Sequence, residues 1–479
     1  MRTLLTVGFD FSFPNGPGPG RLLKALPVSC LPGAFMLPRS TAVPPRLLRL
    51  TMEKLLSANQ AGWLERSFVV ESAGAEVDFF ALSSAGGQPA NRARPRCFLP
   101  PPGRCYSFGI PLAPTPRERV RAARLQSTLQ RRLEQAPWGA RGRVLPLLSY
   151  SPGGAALEKG FLIQDEQGLP ETRPFLEELL GVLLPAPAHL SVYEQAESGK
   201  LCCALWGLKG TGKEKELLGK ANVVAAEEPE FHPAVPHLLG NTVFRSREAA
   251  RQVLECTSII PESRLILELV DKCPKHLKKG NFPIIVIEGL DATGKTTVTR
   301  FLKDSLNAVL LRTPPSCVSQ WRKIFDDEPP LIRRAFYALT NYIVASEIAE
   351  ESSKSPVILD RYWHSTAAYA VATEITGDVQ NLPPPKHLVY HWPDDLLSPD
   401  IVLLLTVSPE ERVRRLQGRG MEKTREEVDL EVNDVFRQKV EESYRRMENP
   451  ACQILDANPS EEDVAKAALH LIKNQCHFP

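Results

Sequence analysis

No stretch of this 479-residue sequence approaches the roughly 18 consecutive apolar residues that a membrane-spanning helix needs. Its ten cysteines never fall in a C-x-x-C pair, which argues against a zinc site or a disulfide framework and fits reduced thiols. Charge of one sign is nearly absent in the balance: 58 Lys and Arg against 56 Asp and Glu leave a net +2, so no general affinity for nucleic acid follows. No internal repeat is seen. What remains is a chain with 43% hydrophobic residues, enough for real cores, and a length that suggests about three units.

The richest stretch is Ile284 to Thr297. Four apolar residues, Ile284 to Ile287, read as a buried parallel strand, and Val298 to Leu302 opens a helix. Between them Gly289, Gly294, Lys295 and Thr296 satisfy G-x-x-x-x-G-K-[ST], in the strand-to-helix context that the motif needs. Glycines let the backbone wrap a phosphate chain, and N–H groups at a helix start point at the anion. The expected phosphate-binding residues are Gly289, Leu290, Asp291, Ala292, Thr293, Gly294, Lys295, Thr296 and Thr297. Lys295 is expected to bridge the β- and γ-phosphates and the Thr296 hydroxyl to ligate Mg²⁺, with ATP the implied nucleotide.

The first 52 residues hold six basic residues and one acid, Asp10, together with eight prolines. A basic, acid-poor N-terminus resembles an organelle transit peptide, with removal expected before about Arg66. Residues 1–65 are therefore read as a transit or disordered segment, residues 66–245 as an α+β domain of uncertain fold and role, and residues 246–479 as the nucleotide-binding domain. In the middle domain Ser67 to Glu71 and Val77 to Leu82 read as strands, and Arg117 to Gln135 as a helix whose arginines form a solvated face. Gly207 to Glu214 copies the phosphate motif but puts Glu where Ser or Thr belongs, and its apolar flanks read as two strands joined by a polar turn.

Beyond the phosphate loop, strands at 308–312, 357–360, 401–407 and 453–456 alternate with helices, including a long one from Pro330 to Ser353. That order implies a right-handed, parallel, doubly wound sheet, with ligands at the carboxyl ends of its strands. Asp360 ends one such strand, where a carboxylate can hold Mg²⁺ or its waters, and Arg361 beside it offers a fork for a phosphate. Ser408-Pro-Glu-Glu411 makes a capping box. The helix after it carries Arg412, Arg414, Arg415, Arg419, Lys423 and Arg425, broken by Gly418 and Gly420, as a lid over transferring phosphates needs. Arg419 and Arg425 are the lid residues expected to act in catalysis.

These segments, Glu288 to Thr297, Asp360-Arg-Tyr with Ser365 and Tyr369, Pro399-Asp400 and Asp456-Ala457, resemble those of thymidylate kinases. The resemblance covers about half the chain strongly. It implies the P-loop nucleoside monophosphate kinase fold and transfer of the ATP γ-phosphoryl group, with Mg²⁺, to a pyrimidine nucleoside monophosphate. It also implies that Asp291 contacts the acceptor sugar or phosphate, that Arg361 holds the acceptor phosphate, that Tyr369 lies in the acceptor site, and that the lid basics neutralise the transfer. Small-molecule substrates, no nucleic acid, a mitochondrial matrix location and, as an open point, a homodimer complete the expectations.

Three departures bear on the substrate. The arginine that many thymidylate kinases carry inside the phosphate loop is here Ala292. The aromatic that stacks on thymine and the arginine that reads its carbonyl fall, by an ungapped count from Asp360, on Phe336 and Thr340. A third family arginine falls near Ser316, with Arg322 and Arg333 as candidate replacements. Strict dTMP selection therefore does not follow, and the resemblance implies CMP, dCMP, UMP and dUMP as the expected acceptors. A strict thymidylate kinase and a nucleotide-binding regulator with a vestigial kinase half are the other two readings.

Overall fold

The computed structural model describes residues 66–71, 77–82, 96–97, 99–111, 115–136, 138, 142–151, 156–184, 188–209, 214–225, 242–375, 379–417 and 433–479. The transit-peptide expectation, and the lid residues Arg419 and Arg425, lie outside them.

The N-terminal part is built on strands β1 (Arg66–Glu71), β2 (Val77–Leu82), β3 (Arg96–Cys97) and β4 (Cys105–Pro111), helix α1 (Pro116–Glu134), β5 (Gly142–Ser151), β6 (Ala156–Asp165), α2 (Thr172–Leu183), and β7 (Ala188–Gln195), β8 (Leu201–Lys209) and β9 (Glu214–Ala225). The order β2-β5-β6-β4-β7-β8-β9-β1 returns to β2 through the β1–β2 pair, so eight antiparallel strands close into a barrel, with β3 adding briefly to β1. Closure leaves no long sheet edge exposed. Alternation sorts the side chains. Cys105, Leu162, Tyr193 and Cys203 belong to one small cluster, and Ser107 meets the Tyr193 hydroxyl at 2.8 Å. Tyr106, Phe108, Phe161, Ile163, Leu190 and Val192 point the other way, under α1 and α2. Eight strands give an interior just wide enough for side chains to fill.

The expected strands at 67–71 and 77–82 and the helix at 117–135 are present. Strands β4 to β7 were not legible, because their apolar residues alternate between two buried faces. The motif copy at Gly207 lies in an antiparallel β8–β9 pair, with Gly207 opposite Glu216.

The C-terminal part begins with α3 (Arg247–Glu255) and α4 (Pro261–Lys272). Then come β10 (Ile284–Gly289), α5 (Lys295–Leu306), β11 (Val309–Arg312), the short α6 (Ser316–Ser319) and α7 (Arg322–Asp326), α8 (Pro330–Glu351), β12 (Val357–Asp360) and α9 (Trp363–Glu374). The chain ends with β13 (Ile401–Thr406), α10 (Pro409–Gln417), α11 (Asp434–Arg445), β14 (Cys452–Asp456) and α12 (Glu461–Gln475). The five strands are parallel in the order β11-β12-β10-β13-β14, as the alternating pattern required. Val286 and Leu404 pack beneath α9 and α11, whereas Ile287 and Leu403 pack beneath α5 and α12. Burial on both faces explains the unbroken apolar runs. The fold is thus α/β, a doubly wound parallel sheet, preceded by the antiparallel barrel with its helices.

Candidate active site

The phosphate loop leaves the central strand β10 and enters α5. Gly289 sits at φ 142°, and a Cβ there would lie 2.6 Å from the Leu405 carbonyl oxygen of β13. Only glycine lets the two strands approach this closely. Gly294, at φ 92°, starts the helix in the left-handed region. Lys295 is buried, and its Nζ donates to the Leu290 carbonyl at 2.6 Å across its own loop. Burial, then the Arg361 charge, pushes Lys295 down to about 8. The Thr293 hydroxyl is spent on the Leu290 carbonyl at 2.9 Å, while Thr296 is exposed at the start of α5.

Asp360 ends β12, next to β10, and its Oδ1 is buried with no partner among the described residues. A buried unpaired oxygen carries a full desolvation penalty until something pairs with it. With the open Thr296 hydroxyl on the same sheet edge, this donor pair fits a hard divalent cation that keeps most of its waters.

Arg361 follows at φ 67°, its own N–H held by the Ile287 carbonyl at 3.1 Å. Its guanidinium donates to Asp291 Oδ1 at 2.7 Å and to Ser365 Oγ at 3.2 Å, and lies 5.9 Å above the Tyr369 ring. Burial alone would raise Asp291, but Arg361 and then Lys295 outweigh it and hold the carboxyl down at about 2. Behind them Glu288 is fully buried. It accepts from the Tyr362 N–H at 2.8 Å and the Ser365 hydroxyl at 2.5 Å, and the Tyr444 hydroxyl is 3.3 Å away. This network fixes the first turn of α9 to the phosphate loop. Nothing in the sequence marked Tyr444; an acid inside the apolar β10 run was the available signal for Glu288.

Helix α10 leans on the same loop. Ser408 Oγ accepts from the Glu411 N–H at 3.2 Å, the cap that its sequence implied. Arg412 is buried and donates from Nε to the Asp291 carbonyl at 3.2 Å. Arg415 donates to the Ala457 carbonyl at 2.8 Å, and its guanidinium is close enough to Gly294 that a Cβ there would be 3.7 Å from it.

The structure corrects the expected base pocket. Phe336 is wholly buried and stacks on Phe325 with centroids 4.5 Å apart and planes 4° from parallel. Thr340 is also wholly buried, and its hydroxyl donates to the Tyr337 carbonyl at 2.8 Å. Phe336 belongs to the apolar cluster that α8 forms with α3, α4 and α7. The face turned to α9 carries Asn341, whose Nδ2 donates to Thr366 Oγ at 3.0 Å and whose Oδ1 is buried without a partner among the described residues. Thr366 itself is half-buried. Arg322 engages the Tyr337 hydroxyl at 3.3 Å.

A parallel sheet in this order, a phosphate loop on its central strand and an Asp-Arg pair on the neighbouring strand define a P-loop nucleoside monophosphate kinase. The sequence model of the thymidylate kinase family matches residues 287–468. The chain belongs to the family of UMP-CMP kinase 2: it is 56% identical to the mitochondrial UMP-CMP kinase 2 of Homo sapiens, over 86% of this chain and 93% of that protein. A probable thymidylate kinase of Methanococcus maripaludis is 30% identical over 29% of this chain and 67% of its own length. Among solved structures, the thymidylate kinase of Candida albicans covers 41% of this chain and 93% of its own, at 20% identity and a TM-score of 0.33.

Proposed function

We propose that the chain transfers the γ-phosphoryl group of ATP to CMP, UMP and their deoxy forms, in the mitochondrial matrix. The observation that carries the reading is the Arg361–Asp291 pair set at the lip of the phosphate loop. An acceptor phosphate gripped by Arg361 faces the γ-phosphate held by the loop. Its oxygen attacks the γ-phosphorus, the bond to the β-bridging oxygen breaks, and ADP leaves with that electron pair. A phosphate oxygen is largely ionised at neutral pH, so the attack needs no general base. Lys295 and the N–H groups from Thr293 to Thr297 take the donor phosphates. Thr296 and Asp360 would hold Mg²⁺, which would supply charge neutralisation for the transferring phosphates. Arg419 and Arg425 are assigned to the lid, Tyr369 to the acceptor wall, and residues 246–479 to the catalytic domain; a homodimer stays open to test by sedimentation.

For base choice we assign Thr366 backed by Asn341. With Asn341 donating, the Thr366 hydroxyl keeps its proton for a carbonyl on the base. With the amide turned over, Thr366 donates to Asn341 and accepts from an amino group. One pocket then serves uracil and cytosine, without the fixed cation that would leave an amino group unpaired.

The test is turnover of CMP, dCMP, UMP, dUMP and dTMP under saturating ATP and Mg²⁺. Cytosine and uracil nucleotides should lead. Activity on dTMP alone would favour strict thymidylate kinase, and no turnover with any acceptor would leave a nucleotide-binding regulator.

A further inference from the structure

The barrel touches the kinase part at helices α8 and α9. Helices α8 and α9 run antiparallel and are tied at two points: Asn341 to Thr366 near the site, and Arg334 to Glu374 at 2.8 Å at the far end. The second tie has a third member from the barrel, because Lys159 on β6 also pairs with Glu374. Side-chain exposure is 15% for Glu374 and 11% for Arg334, so the pair is largely out of water. Burial opposes the Glu374 charge, yet Lys159 and then Arg334 hold its carboxyl well below the usual range. Two further contacts point the same way. Val120 of α1 enters the apolar cluster of Val253, Ile332, Phe336 and Leu339, and Arg124 reaches Glu328, just before α8, at 3.5 Å.

We propose that the barrel domain is a positioning element for the acceptor pocket, with Lys159 setting the spacing of α8 and α9 through Glu374. The inference rests on the reading that these two helices wall the acceptor cleft. Glu374 lies five residues beyond Tyr369 on α9, a rise of about 7.5 Å, and Arg334 lies seven residues before Asn341, on the same face of α8. A shift at the far tie therefore reaches both the phosphate clamp and the base edge. The donor loop, seated between β10 and α5, is not part of that tie. Small displacements of a binding group weaken capture of the ligand it positions.

The test uses the full chain with Lys159→Met and Lys159→Arg. Lys159→Met should raise the KM for CMP about five- to tenfold, with the KM for ATP and the kcat within about twofold of wild type. Lys159→Arg, which keeps the cation, should restore the KM. A merely structural role would lower the active fraction, reducing kcat and leaving both KM values in place, and that result would overturn the proposal. Hydrogen exchange on the wild-type chain gives a second measurement that needs no variant. By reciprocity, CMP should slow exchange in α1 and β6, and ATP alone should not. No CMP-dependent change there would overturn it as well. Wild-type turnover separates the two readings: without it the proposed activity fails, and with it an unchanged CMP KM in Lys159→Met sinks the positioning role alone.

Discussion

Arg361→Ala removes a guanidinium held by Asp291 at 2.7 Å and Ser365 at 3.2 Å, with the Tyr369 ring 5.9 Å away. If that fork grips the acceptor phosphate, two charge-assisted bonds are lost, each worth about 1.5–3 kcal/mol net. The expected weakening of CMP is about 3 kcal/mol, or roughly 10²-fold in Kd. ATP should weaken about threefold or less, since the loop from Gly289 to Thr297 does not rest on this side chain. A second consequence separates this site from an ordinary salt bridge. Burial and then the Arg361 charge hold Lys295 down at about 8. Without Arg361 the repulsion is gone, and the Lys295 pKa rises. The kcat/KM for ATP should then begin its alkaline fall at higher pH in the variant than in the wild type. Calorimetry of ATP and CMP gives the first effect, and pH profiles of kcat/KM the second; circular dichroism checks that the fold is kept. Equal weakening of both nucleotides would show that Arg361 is structural or on the donor side, and an unmoved alkaline limb would refute its proximity to Lys295.

Lys295→Ala should lower kcat about 10²-fold or more while the fold survives, because its charge acts where negative charge builds in transfer; wild-type kcat would refute the loop assignment. In the wild type, kcat/KM for ATP should fall as pH rises through about 8, where the free enzyme loses the Lys295 proton, while kcat holds to higher pH because bound phosphates retain it. The same depression means that stability gains from this group between about 8 and the ordinary lysine value of 10.5, since there the unfolded chain holds the proton the folded chain has lost. Phe336→Ala should cost about 3–5 kcal/mol of stability, seen as a lower Tm; an unchanged Tm would refute its packing against Phe325. Asn341→Asp fixes an acceptor behind Thr366 and should raise the dCMP/dUMP ratio of kcat/KM; a ratio that stays or falls would remove the pair from the base edge.

The kinase fold was legible in the chain because its signals are local. A parallel strand buried on both faces must be an apolar run, and a loop that wraps phosphate must carry glycine where a Cβ would strike the next strand. Ile284 to Thr297 contains both, and the alternation after it sets the sheet. The Ser408 cap on the Glu411 N–H was local as well, but the box does not close: the Ser408 N–H donates to Asn458 Oδ1 at 3.0 Å, and the Glu411 carboxylate pairs with Arg414 and Arg415. The site beyond these motifs depended on which face of a helix meets which neighbour. Phe336 and Asn341 lie five residues apart on one helix, and no count along the chain says that the first is turned to Phe325 and the second to Thr366. Tyr444 and Arg412 reach Glu288 and the loop from distant segments. The barrel was hidden for a related reason: its strands carry apolar residues toward both the interior and the covering helices, which blurs the period-two signal. Lys159 reads in sequence as one surface cation among many. Only the packing of β6 against the end of α9 brings it to Glu374, because a charge partner is fixed by distance in space rather than by spacing along the chain.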